Sequence, residues 1–248
     1  MKVEEINPYS PEEDKGRQVE QMFDSIARRY DFMNAAMSLG QHKRWRNKAL
    51  KAALKKLPPT SRINTLDIAT GTGDVAFRLH KLMPKASITG IDLSDGMLEI
   101  AREKLKELPI EEKKLLTFGK GDSLSMPFHD EEFDLITVAY GVRNFSDLRK
   151  GIREMRRVLK RGGILCIIEL STPQGFLTKP AYKLYSGKII HWMGKRVTGD
   201  NRAYSYLPES IAACPQREDM AALLYAEGYT KVDWHTLSFG ALTYYIAR

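Results

Sequence analysis

The segment Leu66-Asp67-Ile68-Ala69-Thr70-Gly71-Thr72-Gly73-Asp74 sets two glycines between carboxylates. Glycine lets a main chain approach a ligand with no Cβ in the way, so this loop could cradle a small molecule with its backbone. Asp92 follows about 20 residues on, at the end of the next apolar run, where a carboxylate can accept hydrogen bonds from two ribose hydroxyls. Gly71-x-Gly73-x-x-Ala76 also satisfies the dinucleotide pattern, in which a pyrophosphate rests on a helix N-terminus. Asp67 and Asp74, however, flank the place a pyrophosphate would need. Carboxylates repel phosphate and suit ammonium and sulfonium groups, which turns the reading toward S-adenosyl-L-methionine. Gly121-Asp122-Ser123 closes a third apolar run, where a side chain and a neighbouring amide could read an adenine edge.

These residues need strand ends to hold them. Short apolar runs at Ile63 to Ala69, Ser87 to Leu93, Leu115 to Lys120, Phe133 to Ala139 and Gly163 to Leu170 read as strands. Helical periodicity lies between them at Asp74 to Leu82, Gly96 to Leu108 and Ser146 to Leu159. Strands this apolar, joined by crossover helices, predict a mostly parallel twisted α/β sheet with helices on both faces. Open sheets of that kind bind ligands at the carboxyl ends of their strands, where all the residues above sit. Gln216 to Glu227 reads as a further helix, and Lys231 to Leu237 with Leu242 to Ala247 as an antiparallel C-terminal hairpin.

Ahead of the first strand, apolar positions from Val19 to Met37 recur at three and four, which predicts an amphipathic helix broken near Asp31. A second helix is predicted from Trp45 to Leu57, stopped by Pro58-Pro59. One domain is therefore expected: a mobile arm over 1–16, an N-terminal helical cap over 17–60, the cofactor-binding core over 61–170, an insertion over 171–208, and a helix with hairpin over 209–248.

The 248 residues, 43% of them hydrophobic, suffice for a sizeable core and exclude wholesale disorder. Two cysteines cannot make a disulfide framework and show no metal-ligand spacing, which fits a reducing cytoplasm. The amino end has acids and prolines where a signal peptide needs a basic start and an apolar run, and no stretch approaches roughly 18 consecutive apolar residues. The net charge of +8 attracts polyanions, whether nucleic acid or anionic membrane, without choosing between them.

Three blocks are far more specific than the glycine loop: Met22-Phe23-Asp24-Ser25-Ile26-Ala27-Arg28-Arg29-Tyr30-Asp31-Phe32-Met33-Asn34, Tyr140-Gly141-Val142-Arg143-Asn144-Phe145, and Tyr204-Ser205-Tyr206-Leu207-Pro208-Glu209-Ser210-Ile211. Through them the chain resembles the UbiE/MenG quinone-biosynthesis C-methyltransferases, from Met22 to the last strand. The resemblance implies a Rossmann-like class I S-adenosylmethionine-dependent methyltransferase that methylates a ring carbon of a polyprenylated quinol. Demethylmenaquinol is the substrate favoured, with a polyprenyl benzoquinol of ubiquinone biosynthesis or another small lipid as alternatives, and no nucleic acid. It also implies cofactor contacts at Thr72, Asp92, Asp122 and Ser123. Ala139 departs from the family, since some members have a cofactor-contacting serine there, and Ser123 adds a hydroxyl where alanine is common.

Methylation at carbon needs an electron-rich ring, which a quinol acquires as its hydroxyl loses a proton. Arg143, following the fourth strand at the ligand-binding edge, is the candidate to stabilise the phenolate charge, and it cannot be the base because guanidinium stays protonated. A water held by Arg143 and Asn144, or Tyr30, Asp31 or His42, could hold or relay the proton. For Tyr30 and Trp45, helix packing is an equal reading. The other histidines are scattered, and no metal is expected. Phe176, Tyr182, Tyr185, Ile189, Ile190, Trp192 and Met193 interleave with Lys179, Lys183, Lys188, Lys195 and Arg196, a mixture suited to a membrane surface or a lid over an isoprenoid, and equally to a packed insertion with a solvated rim. Peripheral attachment to the inner face of the membrane is the resulting expectation. Competing classes are a nucleotide-dependent dehydrogenase and an idle lipid-quinone carrier.

Overall fold

Continuous apolar runs become central strands. The computed structural model describes residues 2–59, 62–176, 178 and 201–248, the last stretch by backbone alone at 201–204. Strands β1 (Asn64–Ile68), β2 (Ser87–Asp92), β3 (Leu116–Lys120), β4 (Phe133–Ala139) and β5 (Leu159–Leu170) pair in parallel, and β6 (Val232–Leu237) and β7 (Leu242–Ala247) are antiparallel. The sheet order is β3-β2-β1-β4-β5-β7-β6, with β7 antiparallel between β5 and β6. The order reverses between β1 and β4, so the switch point that favours ligands lies beyond Ile68 and Ala139.

Strand alternation divides the core in two. Along β5, Leu165 and Ile167 face one layer, while Ile164, Cys166 and Ile168 face the other. The first layer takes Leu148, Ile152, Met155 and Val158 of α6 (Leu148–Val158) and Met220 and Leu224 of α8 (Glu218–Ala226). Opposite lie Leu50 and Ala53 of α2 (Gln41–Leu54), Val75 and Leu79 of α3 (Asp74–Leu82), and Leu98 and Ala101 of α4 (Asp95–Lys106). Side-chain caps set the helix starts: Asp147 accepts from the Lys150 amide and Ser94 from the Met97 amide. A short helix, α5 (Ile110–Lys113), precedes β3.

Four expectations change. The helix α1 (Lys15–Met37) runs unbroken past Asp31. Of the two N-terminal helices α1 lies over the strand ends, while Ala49, Leu50 and Ala53 bury the later turns of α2 against the sheet. The described part of the expected arm, residues 2–16, is docked on the fold. Val3 and Ile6 are buried, the Gln18 amide oxygen accepts from the backbone of Tyr9 and Ser10, and Lys15 Nζ donates to Val3 O at 2.5 Å and to Arg143 O at 3.3 Å. Two isolated apolar residues leave no periodicity, so this docking is invisible in the sequence. Finally, α7 (Asn201–Ala213) runs through Pro208, across the expected boundary. A proline removes one helical hydrogen bond and hides the helix from a reading by breakers. The aromatic and basic run from Lys179 to Arg196 lies outside the described residues. Among those described, no helix is long and apolar enough to cross a membrane.

Candidate functional site

Two cavities, each about 250 Å³, meet at the carboxyl ends of the strands and share a wall of Phe23, Tyr30 and Tyr140. The first lies over the switch point. Its floor comes from the loops after β1 to β4, with Gly71, Asp92, Asp122, Ser123 and Gly141 in the wall, and α1 closes it from above with Gly16, Val19 and Phe23. Asp24 pins that closure, its Oδ1 accepting from Ser94 Oγ at 2.5 Å and from the Gly96 amide at 2.9 Å.

The backbone at the switch point is strained on both sides. Ala69 and Tyr140, directly after β1 and β4, have φ of 51° and 61°, a conformation that side chains other than glycine rarely take. Gly141 is required by close approach, since a Cβ there would lie 2.7 Å from that of Ala69. Such strain at two adjacent strand ends is characteristic of ligand clamps.

Of the acids that line the first cavity, Asp14, Glu20, Asp92 and Asp122, it is Asp92 that anchors the glycine loop. Its Oδ2 accepts from the Gly71 amide at 2.8 Å and its Oδ1 from the Ser94 amide at 2.9 Å, so the glycine loop is hung from it. Burial pushes its pKa up against those two amides. The remaining lone pairs can accept from vicinal hydroxyls. Asp122 and Ser123 lie across from it in the same wall.

Asp67, Asp74 and Asp31 lie outside that wall. Asp67 sits beneath the loop, with Oδ2 accepting from Thr70 Oγ1 and Oδ1 from Thr137 Oγ1, both at 2.6 Å, and burial raises its pKa to about 6. Asp74 pairs with Arg46 at 2.7 Å and Lys104 at 3.2 Å; burial opposes its ionisation, and these two cations outweigh burial and lower its pKa. Asp31, expected near the reacting groups, accepts instead from Thr72 Oγ1 and pairs with Lys104, both at 2.7 Å. Asp31, Thr72, Gly73 and Asp74 are absent from both cavity walls, and Gly73 serves the turn, with φ of 82°. The spacing that suggested carboxylates around a cation thus reflects a polar clamp between α1, α3 and α4, and only Asp92 of the group reaches the cavity.

The second cavity is apolar, walled by Met22, Ile26, Met33 and Met37 of α1, by Leu207 and Ile211 of α7, and by Leu170. Its polar groups are Asn34, Ser38, His42, Arg143 and the tyrosines Tyr30, Tyr140 and Tyr206, with the Trp45 indole beside them. Arg143 Nη1 lies 2.9 Å from Glu169 Oε1 and also donates to Tyr140 O. Burial works against its charge, but Glu169 and the surrounding phenols hold it protonated. Asn144 is occupied by the protein, its Nδ2 donating to Tyr140 O and its Oδ1 accepting from Tyr206 Oη at 3.0 Å. The Tyr140 hydroxyl is buried without a partner. Burial raises the pKa of Tyr30, Tyr140 and Tyr206, leaving them neutral donors, and lowers that of His42, whose Nδ1 lies 2.6 Å from Ser38 Oγ.

Sequence reasoning missed Glu169, Tyr140 and Tyr206 as site residues. An acid inside the apolar run of β5 was the available signal for Glu169, and both tyrosines stand in the specific blocks.

The profile of the ubiE/COQ5 methyltransferase family matches residues 11–248. A demethylmenaquinone methyltransferase of Bacteroides fragilis is 46% identical over 98% of this chain and 97% of its own. A ubiquinone/menaquinone biosynthesis C-methyltransferase UbiE of Geotalea daltonii is 38% identical over 94% and 96%. Among solved structures, a SAM-dependent methyltransferase of Thermotoga maritima superposes with a TM-score of 0.61 at 20% identity, over 92% of this chain and 98% of that one, which speaks to the fold. With the profile spanning both cavities and every strand, the chain belongs to the ubiE/COQ5 methyltransferase family.

Proposed function

We propose that this protein transfers a methyl group from S-adenosyl-L-methionine to a ring carbon of demethylmenaquinol, forming menaquinol. The observation that carries the reading is the shared wall: a polar cavity built around Asp92 and an apolar cavity holding Arg143 and His42 touch at Phe23, Tyr30 and Tyr140. A hydrophilic donor and a lipid acceptor can each be enclosed in its own solvent and still meet.

The first cavity fits S-adenosylmethionine. The open space over the Gly71 backbone leaves room for a ligand, and the Asp92 carboxylate suits ribose hydroxyls. When bound, this cofactor supplies an electrophilic methyl on sulfonium. Asp122 and Ser123 are the residues we assign to the adenine side. Asp67, Thr72 and Gly73 we assign to shaping the loop.

In the second cavity Arg143 faces the acceptor's oxygen and stabilises charge as it develops, in a site where burial strengthens the interaction. Glu169 and the Tyr140 carbonyl hold the guanidinium in place. The proton goes to His42, the wall's neutral imidazole, while the tyrosines, held protonated by burial, donate hydrogen bonds. Asn144 positions Tyr206 and Tyr140, and its second amide hydrogen and remaining oxygen lone pair can still hold a water. The lipid tail requires contact with a membrane surface, and we assign the protein to its cytoplasmic face.

The test is direct. Purified protein with S-adenosylmethionine and chemically reduced demethylmenaquinone should yield menaquinol and S-adenosylhomocysteine in equal amounts by mass spectrometry, with a polyprenyl benzoquinol a poorer acceptor. Absence of product with every quinol would refute the assignment.

A further inference from the structure

Three large apolar side chains stand in solvent at one end of the molecule: Phe32 at 65%, Leu39 at 87% and Phe239 at 86% exposure. Phe32 and Leu39 are seven residues apart, close to two turns of helix, along the side of α1 and the turn that follows it. Phe239 lies in the turn between β6 and β7. That turn is fixed to α2, because Trp45 Nε1 donates to Ser238 Oγ at 2.8 Å.

Both turn residues are held against their own preferences. Leu39 has φ of 48° and Phe239 φ of 57°, the left-handed region where asparagine or glycine is the usual choice. A bulky apolar residue there improves neither folding nor solubility, so its presence asks for a ligand. Both tips border the apolar cavity: Ser38 and Trp45 line it beside Leu39, and Ala241 lines it two residues after Phe239.

The surrounding charge is positive. Arg28 is exposed one helical turn before Phe32, and Lys43 and Arg44 are exposed on the first turn of α2. Two acids of α1 are committed elsewhere, Asp31 to Lys104 and Asp24 to Ser94 and Gly96. Apolar tips ringed by cations match an anionic bilayer, with acyl chains below and phosphates at the rim.

We infer that Phe32, Leu39 and Phe239 form the face by which the protein docks on an anionic lipid bilayer, bringing the apolar cavity to the lipid surface. The inference rests on the lipid-quinol reading above, and names residues outside the segment 179–200. Leu39 and Phe239 take no part in either cavity wall.

Full-length protein is mixed with vesicles of phosphatidylglycerol or of phosphatidylcholine at low and high salt, as wild type, as Leu39→Asn with Phe239→Asn, and as Lys43→Gln with Arg44→Gln. Wild type should prefer phosphatidylglycerol and release with salt. The asparagine pair should lower its partitioning by roughly tenfold or more. Its melting temperature should hold or rise, because asparagine accepts the left-handed backbone. Methylation of a short, water-soluble demethylated naphthoquinol, without vesicles, should be equal in wild type and the asparagine pair. Unchanged vesicle binding by the pair, or no wild-type binding to either vesicle, overturns the docking face. So does a wild-type dimer in solution that the pair converts to monomer, since the tips would then join two copies. If wild type methylates no quinol, the enzymatic reading fails, while vesicle partitioning still decides the docking face by itself.

Discussion

The Arg143 guanidinium lies 2.9 Å from the Glu169 carboxylate, with the two side chains only 7% and 4% exposed. A buried pair adds little net stability over an apolar one, but removing one partner strands the other charge, at about 3 to 5 kcal/mol. Glu169→Ala should therefore lower the melting temperature by roughly 6 to 20 °C, at about 2 to 4 °C per kcal/mol for a chain of this length. Glu169→Gln, which keeps an acceptor, should lose less. Scanning calorimetry on both variants decides this, and a melt within a degree or two of wild type for Glu169→Ala would show that Arg143 has other compensation.

Arg143 lines the apolar cavity and not the cavity of Asp92. Arg143→Lys keeps a charge but loses the planar guanidinium that Glu169 and Tyr140 hold by one nitrogen, Nη1, leaving its other donors for the acceptor. Quinol turnover should fall by roughly a hundredfold. Calorimetric affinity for S-adenosylmethionine should stay within a factor of about two, because the group is outside that wall. A joint loss of both would place Arg143 in cofactor binding.

Asp92 is the carboxylate on which the Gly71 loop and the Ser94 amide hang. Asp92→Ala should weaken S-adenosylmethionine binding by on the order of 1 to 3 kcal/mol, the cost of lost hydrogen bonds in a buried site. Titration calorimetry on folded variant measures it, and unaltered affinity would remove Asp92 from the cofactor's contacts.

Asp67 makes a prediction about pH. Its pKa rises from 3.8 unfolded to about 6 folded, because burial favours the neutral acid. Folding therefore binds the proton more tightly. The stability from this group is full below pH 3.8 and is lost as pH rises through 6, by on the order of 3 kcal/mol. Asp67→Asn should abolish that slope between pH 4 and 6.5 in urea unfolding and leave the neutral-pH protein at least as stable. It should also bind S-adenosylmethionine normally. A tenfold weaker affinity would mean that Asp67 reaches the ligand after all.

His42 should govern the acid side of the rate profile. Burial holds its pKa below the ordinary 6.5, so turnover should rise with pH along a limb below 6.5 and level off by neutrality. In His42→Ala that limb should disappear together with most of the activity. Persistence of the same limb would assign the proton to another group.

The strands, their order along the chain and the ligand-binding edge were legible because each is a local pattern. Apolar runs such as Phe133–Ala139, glycines after a strand, and an acid closing the next one all express themselves within a few residues. Asp92, Asp122, Ser123 and Arg143 could be picked out in this way, and Tyr30 and His42 through the family resemblance, and the cavities include them all. What no local pattern carries is which carboxylate faces the ligand. Asp67, Asp74 and Asp92 look alike in sequence, and only tertiary packing occupies the first two, Asp67 with Thr70 and with Thr137 of β4, Asp74 with Arg46 of α2 and Lys104 of α4. The same holds for Glu169 behind Arg143, 26 residues away in the chain, and for Lys15, which ties the Val3 carbonyl to that of Arg143 across 128 residues. Side-chain charge is written in the sequence, but its direction and partner depend on which distant elements pack around it, and those contacts exist only once the chain has folded.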